Sequence, residues 1–329
     1  MSKGRSIREK KRLLWIGDAV AHTGFSRVTH SILDRLCKKY DVSILGINYK
    51  GDPHEYPYRI YPASMRGDIY GINRLYDLMR DIQPDVVCML NDFWIIDQYM
   101  PVINNYRKTV QEYNIRMLEE GKEQLSIPKI CAYMPVDGLN VRQEYSKALN
   151  DLDSVIAYTE FGADQFRKAG VKDTSITVIP HGIDTKIFNP VNRDIARKAL
   201  NIPQEWYIIG LVGRNQPRKR IDLAIRYFAE WAKDKPDNVR FYYHGALKDV
   251  GIDIPQLMQY YGMDDRLIIT STGLTSSLGI PQERLKYMYS THDVHISTSA
   301  GEGLAEKALP LPLVIEGNKI ISNQIGATL

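Results

Sequence analysis

The stretch at 213–222, GRNQPRKRID, gathers four cations, Arg214, Arg218, Lys219 and Arg220. It follows the apolar run WYIIGLV and precedes LAIRYFAEW. A fork-shaped guanidinium at Arg214 and a point-charge ammonium at Lys219 together suit a diphosphate. Arg218 and Arg220 flank that pair and are expected to face solvent. A charge run is usually just a solvated face; this one starts where a buried strand should stop, at LVGR.

Other residues with chemistry to offer stand at comparable places. GDAVAHTGFSR leaves one apolar run and enters a helical pattern. Gly17 and Gly24 there permit close backbone approach, Thr23 offers a hydroxyl, and a helix N-terminus presents unpaired N–H groups to an anion. The spacing is not the dinucleotide G-x-G-x-x-G fingerprint, and an ordinary strand–helix turn explains it equally well. Asp92, in LND, and Asp137, in YMPVDG, close two further apolar runs, where a carboxylate can accept hydrogen bonds from hydroxyl groups or simply cap the next turn. In STSAGEG, Glu302 lies between Gly301 and Gly303, either against a sugar or ribose or as a helix-start glutamate favoured by the dipole. No carboxylates cluster as metal ligands would, so cations are expected where other enzymes place a divalent ion.

These residues need a scaffold of strands and helices in alternation. RLLWIGD, DVSILGINY, DVVCMLND, IPKICAYMPVDG and SVIAYT read as buried strands, with helical patterns such as FSRVTHSILDRLCKKY, INRLYDLMRDIQ and EFGADQFRKAG between them. The segment 101–127 is polar and helical and reads as an insertion. Residues 173–205, with Pro180, Pro190 and Pro203, break the rhythm. It resumes with WYIIGLVG, VRFYYHG, RLIITST and HDVHIST. Repeated strand–helix–strand units imply parallel sheets covered on both faces. The spacing predicts two Rossmann-like, doubly wound α/β domains, 1–172 and 173–329. In such sheets ligands lie beyond the carboxyl ends of the strands, where all the candidate residues fall.

Bulk properties agree. The chain has 329 residues, 44% hydrophobic and 25% charged, with net charge +4. That is long for one core, and a mild positive balance suits an anionic ligand without demanding nucleic acid. Three scattered cysteines, Cys37, Cys88 and Cys131, form neither a metal spacing nor a disulfide framework, and point to a reducing, cytoplasmic setting. No apolar run approaches the ~20 residues needed to span a bilayer. The basic start, MSKGRSIREKKR, lacks the apolar core of a secretory signal and reads as a surface tail or a nucleic-acid or membrane-surface contact.

The ordered set VIPHGIDTKIFNP, GLVGRNQPRKRIDLAI and HISTSAGEG, with GDAVAHTGFSRVTHSIL near the start, resembles the glycogen-synthase-like family (glycosyl transferases group 1) of retaining, nucleotide-sugar-dependent glycosyltransferases with the GT-B fold. The resemblance runs from about residue 12 to the end. It implies two Rossmann-like domains facing a cleft, the first for the acceptor and the second for the donor. Carried over, Arg214 and Lys219 contact the donor diphosphate, Gly24 lies near the phosphates, Glu302 faces the donor sugar, and Gly213 and Gly303 belong to the donor-binding set. Thr23, Asp92 and Asp137 are assigned to the acceptor side. Four departures stand out. The family has glycine where this chain has Arg220. Its second glutamate, the ribose contact, falls on Pro310, so Glu316 of LPLVIEG is the substitute and Glu306 a weaker one. The acceptor-side histidine has no match, and the C-terminal domain is expected to be shortened. The resemblance implies a UDP- or GDP-sugar donor, no required metal, retention at the anomeric carbon, and a hydroxyl acceptor: a glycan, a lipid-linked sugar, a small metabolite, a protein or a modified DNA base. A nucleotide-sugar-binding protein without turnover and a sugar-nucleotide epimerase remain as alternatives.

Overall fold

Apolar runs without polar alternation, such as Leu13, Leu14, Trp15 and Ile16, all at most 3% exposed, form strands buried on both faces. The computed structural model describes residues 10–21, 23–64, 67–271, 273–274 and 280–300, with the backbone of 315–316 and 319–320. The chain divides into two units, Met1–His181 and Gly182–Leu329.

In the first unit the order is β1 (Lys11–Asp18), α1 (Gly24–Leu36), β2 (Tyr40–Ile47), β3 (Arg59–Pro62), α2 (Ile72–Ile82), β4 (Val86–Leu90), α3 (Phe93–Glu119), β5 (Lys129–Met134), α4 (Ser146–Asn150), β6 (Ser154–Ala157), α5 (Glu160–Lys168) and β7 (Ile176–Val178). The sheet runs β3-β2-β1-β4-β5-β6-β7, every neighbouring pair parallel. Chain order reverses between β1 and β4, which makes that the topological switch point where open α/β sheets place ligands. Leu14, Leu45, Met89, Ala132 and Val155 from the strands pack with Ile96, Tyr99 and Ile103 of α3 in one core.

Two local readings change. The helix expected as a polar insertion from 101 starts at Phe93 and runs 27 residues through Pro101. Its first part is the β4–β5 crossover, buried at Ile95, Ile96, Tyr99, Met100, Ile103, Tyr106 and Val110. Proline removes one backbone donor, but this packing outweighs that loss. The boundary, expected after residue 172, falls after His181, because Ile176–Val178 pairs with Val155–Ala157 as the last strand of the first sheet.

The second unit holds α6 (Arg193–Ala199), β8 (Tyr207–Val212), α7 (Ile221–Ala232), β9 (Val239–His244), α8 (Ile254–Tyr260), β10 (Leu267–Ile269), α9 (Gln282–Thr291) and β11 (Val294–His295), then a two-stranded antiparallel pair, β12 (Ile315–Glu316) and β13 (Lys319–Ile320). The parallel sheet runs β10-β9-β8-β11, so its order reverses between β8 and β11. Leu211, Ile225, Phe228, Phe241 and Tyr243 form its core. Both units are Rossmann-like, as the alternation predicts.

Candidate functional site

In the second unit the loops after β8 and β11 flank the switch point. Gly213 N–H extends the ladder to the His244 carbonyl (2.9 Å), and the chain then leaves the sheet. Arg214 is exposed and forks onto Asp249, Nε to Oδ2 at 3.0 Å and Nη2 to Oδ1 at 3.2 Å. The Asp249 side chain is only 5% exposed. The fork therefore fixes the guanidinium plane and leaves Nη1 without a bond to any described group, open to a phosphate oxygen. Next to it, buried Asn215 donates to the Leu247 and Ile252 carbonyls (2.9 and 2.6 Å) and accepts from Ile252 N–H (3.1 Å). This clamp fastens the loop bearing Asp249 to the loop bearing Arg214.

Pro217–Lys219 forms a single 3₁₀ turn that brings Lys219, half-buried, to the end of β8. Arg220 follows at φ 46°, ψ 44°, in the left-handed region. This explains why a glycine suits the position: an L side chain is strained there. Arg220 faces solvent and pairs with Asp222 at 2.9 Å. The loop after β11 braces this turn. Thr298 Oγ1 donates to the carbonyls of Arg220 (2.7 Å) and Lys219 (3.1 Å), and Ala300 N–H donates to that of Arg218 (2.8 Å). Glu302 and Gly303 lie outside the described residues. So does Glu306, and of Glu316 only the backbone is described, paired with Lys319.

In the first unit the loop after β1 is held by its own side chains. Thr23 caps α1, accepting from Ser26 N–H at 3.0 Å, and its hydroxyl donates to Asp18 Oδ2 at 2.6 Å. Asp18 is buried, and that burial raises its carboxyl pKa against the opposing hydrogen bonds from Thr23 and Asn48. Val20 is strained at φ 53° and donates its N–H to His30 Nε2 at 3.0 Å. His30 must then carry its proton on Nδ1, donating to Tyr58 Oη at 2.8 Å, while its ring stacks on Tyr56 at 3.6 Å. Burial, reinforced by nearby His54, lowers the His30 pKa to about 4. Gly24 begins α1, and a Cβ there would meet nothing. Gly17 has a packing reason instead: a Cβ would lie 3.1 Å from the Leu90 carbonyl and from Trp15 Nε1. Asp92 is the N-cap residue of α3, just past β4, and Asp137 is exposed in the loop after β5. Thr23, Asp92 and Asp137 thus all follow carboxyl ends of one sheet.

Sequence reasoning missed Asp249, Asn215, Thr298 and His30. VIPHGIDTKIFNP did mark a further place: His181 there bonds Tyr133. Among the described residues no group of three or more His, Cys, Asp or Glu is placed to hold a metal ion, and no helix is long and apolar enough to cross a membrane.

No protein-family model matches the chain. In sequence it is similar to the D-inositol 3-phosphate glycosyltransferase of Mycolicibacterium smegmatis, 31% identical over 126 residues, which cover 37% of this chain and 28% of that protein. The protein of the same name from Rhodococcus opacus is 29% identical over 186 residues, 53% of this chain and 38% of that one. The chain thus spans well under half the length of these curated relatives. In structure it is similar to sucrose-phosphate synthase from Thermosynechococcus elongatus (TM-score 0.63, 16% identity, 91% of this chain and 78% of that one). It is also similar to the Anabaena protein HepE in complex with UDP (TM-score 0.60, 15% identity, 88% and 74%). The fold is that of the GT-B glycosyltransferases, and the relatives in sequence are glycosyltransferases.

Proposed function

We propose, from this fold and these relatives, that the chain moves a sugar from a nucleotide-diphosphate sugar to a hydroxyl acceptor with retention at the anomeric carbon. The observation that carries the reading is the bracing of the Lys219 turn by Thr298 beside a guanidinium aligned by Asp249, at the switch point of the second sheet. Two fixed cations at one strand end match a diphosphate whose charge grows as the glycosidic bond breaks. Fixed cations stabilise that charge more in the transition state than in the ground state. Each such contact is worth roughly 3–4 kcal/mol.

The second unit binds the donor and the first unit the acceptor in this reading. UDP-sugars are the preferred donors, because HepE has been solved with UDP, with UDP-glucose, and with UDP and glucose. The relatives' name supports a small hydroxyl-rich phosphate as acceptor. Glu302 and Gly303 would face the donor sugar and Glu316 the ribose, while Thr23, Asp92 and Asp137 line the acceptor side. The cations stand in for a divalent ion, so turnover should survive chelation by EDTA. Cys37, Cys88 and Cys131 are free thiols, consistent with work in the cytoplasm.

The test combines UDP titration by calorimetry with NMR of the sugar released or transferred from UDP-glucose. UDP binding with α-configured product supports the reading. Binding without any cleavage selects a nucleotide-sugar-binding protein, and an epimeric sugar selects an epimerase. A panel including inositol phosphates and duplex DNA, run at low and high salt, identifies the acceptor, since transfer to DNA would weaken steeply with salt.

A further inference from the structure

His181 closes the first unit. It belongs to the VIPHGID segment, which starts at the last residue of β7. The Tyr133 hydroxyl donates to the Ile179 carbonyl at 2.8 Å and also lies 2.8 Å from His181 Nδ1. A phenol has one proton, and the Ile179 carbonyl can only accept. The Tyr133 proton therefore goes to Ile179, and Nδ1 of His181 must supply the proton of the second bond. That leaves the lone pair of the neutral ring on Nε2, to which no described group bonds. Tyr158 packs against the imidazole with centroids 4.0 Å apart, and Tyr133 meets it edge-on at 5.3 Å. The ring is thus held in one tautomer and one orientation, while remaining only half-buried.

The position is as telling as the tautomer. Tyr133 is the penultimate residue of β5, Tyr158 directly follows β6 and Ile179 directly follows β7. All three holders stand at carboxyl ends of the first sheet, the edge that also carries Thr23, Asp92 and Asp137. We infer that His181 is an acceptor-binding residue, its Nε2 accepting a hydrogen bond from a hydroxyl group of the sugar acceptor, with Tyr133 as its positioning residue. This rests on the glycosyltransferase reading. Burial lowers the His181 pKa to about 4, so the ring is neutral at pH 7. It is also a weak base there, suited to orienting a hydroxyl rather than removing its proton.

His181→Asn keeps a donor close to the Nδ1 position for Tyr133 but loses the Nε2 lone pair, whereas His181→Gln places an amide near Nε2. With UDP-glucose as donor and D-inositol 3-phosphate as acceptor probe, His181→Asn is expected to raise the acceptor KM roughly three- to tenfold, the scale of one lost hydrogen bond. UDP affinity should be unchanged and kcat little altered, and His181→Gln should recover part of the loss. An unchanged acceptor KM in His181→Asn overturns the inference. Imidazole nitrogen NMR decides independently of any acceptor: a proton on Nδ1, lost from its fixed place in Tyr133→Phe, is expected, and a proton on Nε2 overturns it. Failure of the underlying reading looks different, because the unaltered protein would then neither bind UDP nor cleave UDP-glucose.

Discussion

The Thr298 hydroxyl reaches the Arg220 carbonyl at 2.7 Å and the Lys219 carbonyl at 3.1 Å, tying together the two loops that flank the switch point of the second sheet. A single shared proton thus braces the turn that presents Lys219.

Thr298→Val keeps the shape of the side chain and removes that proton. One lost hydrogen bond should cost about 1 kcal/mol. The turn would loosen, and UDP affinity should fall by several-fold, alongside a loss of folding stability no larger than that. Calorimetry checks this, and unchanged affinity would mean that the brace does not serve the nucleotide.

Arg220→Gly should stabilise the protein. The left-handed backbone costs an L residue roughly 1–2 kcal/mol, and glycine gives back part of that through its freer unfolded chain. The Arg220–Asp222 pair is well exposed at both ends and contributes little. A net gain of up to about 1 kcal/mol is expected, seen as a higher urea midpoint with an unchanged slope. A lower midpoint would refute the strain argument.

What was legible in the sequence follows from how locally each feature is encoded. Strand ends could be read because apolar runs such as WYIIGLV stop abruptly at GRN. The αL residue at Arg220 shows in the structure why that position suits glycine. The polar stretch from 101 hides the continuity of α3, because the apolar face that buries Ile95, Ile96, Tyr99 and Ile103 is defined by the core it packs against. The strand at 176–178 was lost in a proline-rich stretch, since its pairing with β6 is tertiary. Asp249 stands 35 residues from Arg214, and His181 stands 48 from Tyr133. Neither pairing has a spacing rule, so only the fold brings those side chains together.

Arg214→Lys should fail nearly as badly as Arg214→Ala. An ammonium keeps the charge, but it cannot fork onto Asp249 and still present a second edge to a phosphate. Both substitutions are expected to lower transfer about 10²–10³-fold, the range for one lost transition-state donor. Steady-state kinetics with UDP-glucose check this. Near-normal turnover in Arg214→Lys would show that a point charge suffices and that the Asp249 fork is only structural.

Stability should fall as the pH drops from about 6.5 towards 4. Burial holds His30 and His181 at about 4 and His292 at about 3, against an ordinary value near 6.5. The folded pKa values lie below the unfolded ones, so in this window the unfolded chain binds more protons and acid favours it. The contribution is intact above the unfolded pKa, erodes as the pH falls below it, and levels off below each folded value. Asp18 works the other way, because its raised carboxyl pKa lets the folded state hold a proton that the unfolded chain has released. Its opposing effect falls within the acid end of the window. His292 is the sharpest probe: it is 3% exposed, and neither ring nitrogen has a hydrogen-bond partner among the described residues. A Cβ on Gly210 would come within 2.1 Å of its ring, so the site has no spare room. His292→Leu removes two buried nitrogens in a similar volume. It should leave stability at pH 7 unchanged or higher and flatten the loss between pH 6.5 and 4. Thermal melts across that range check both effects, and an equally steep decline in His292→Leu would assign the acid sensitivity to other groups.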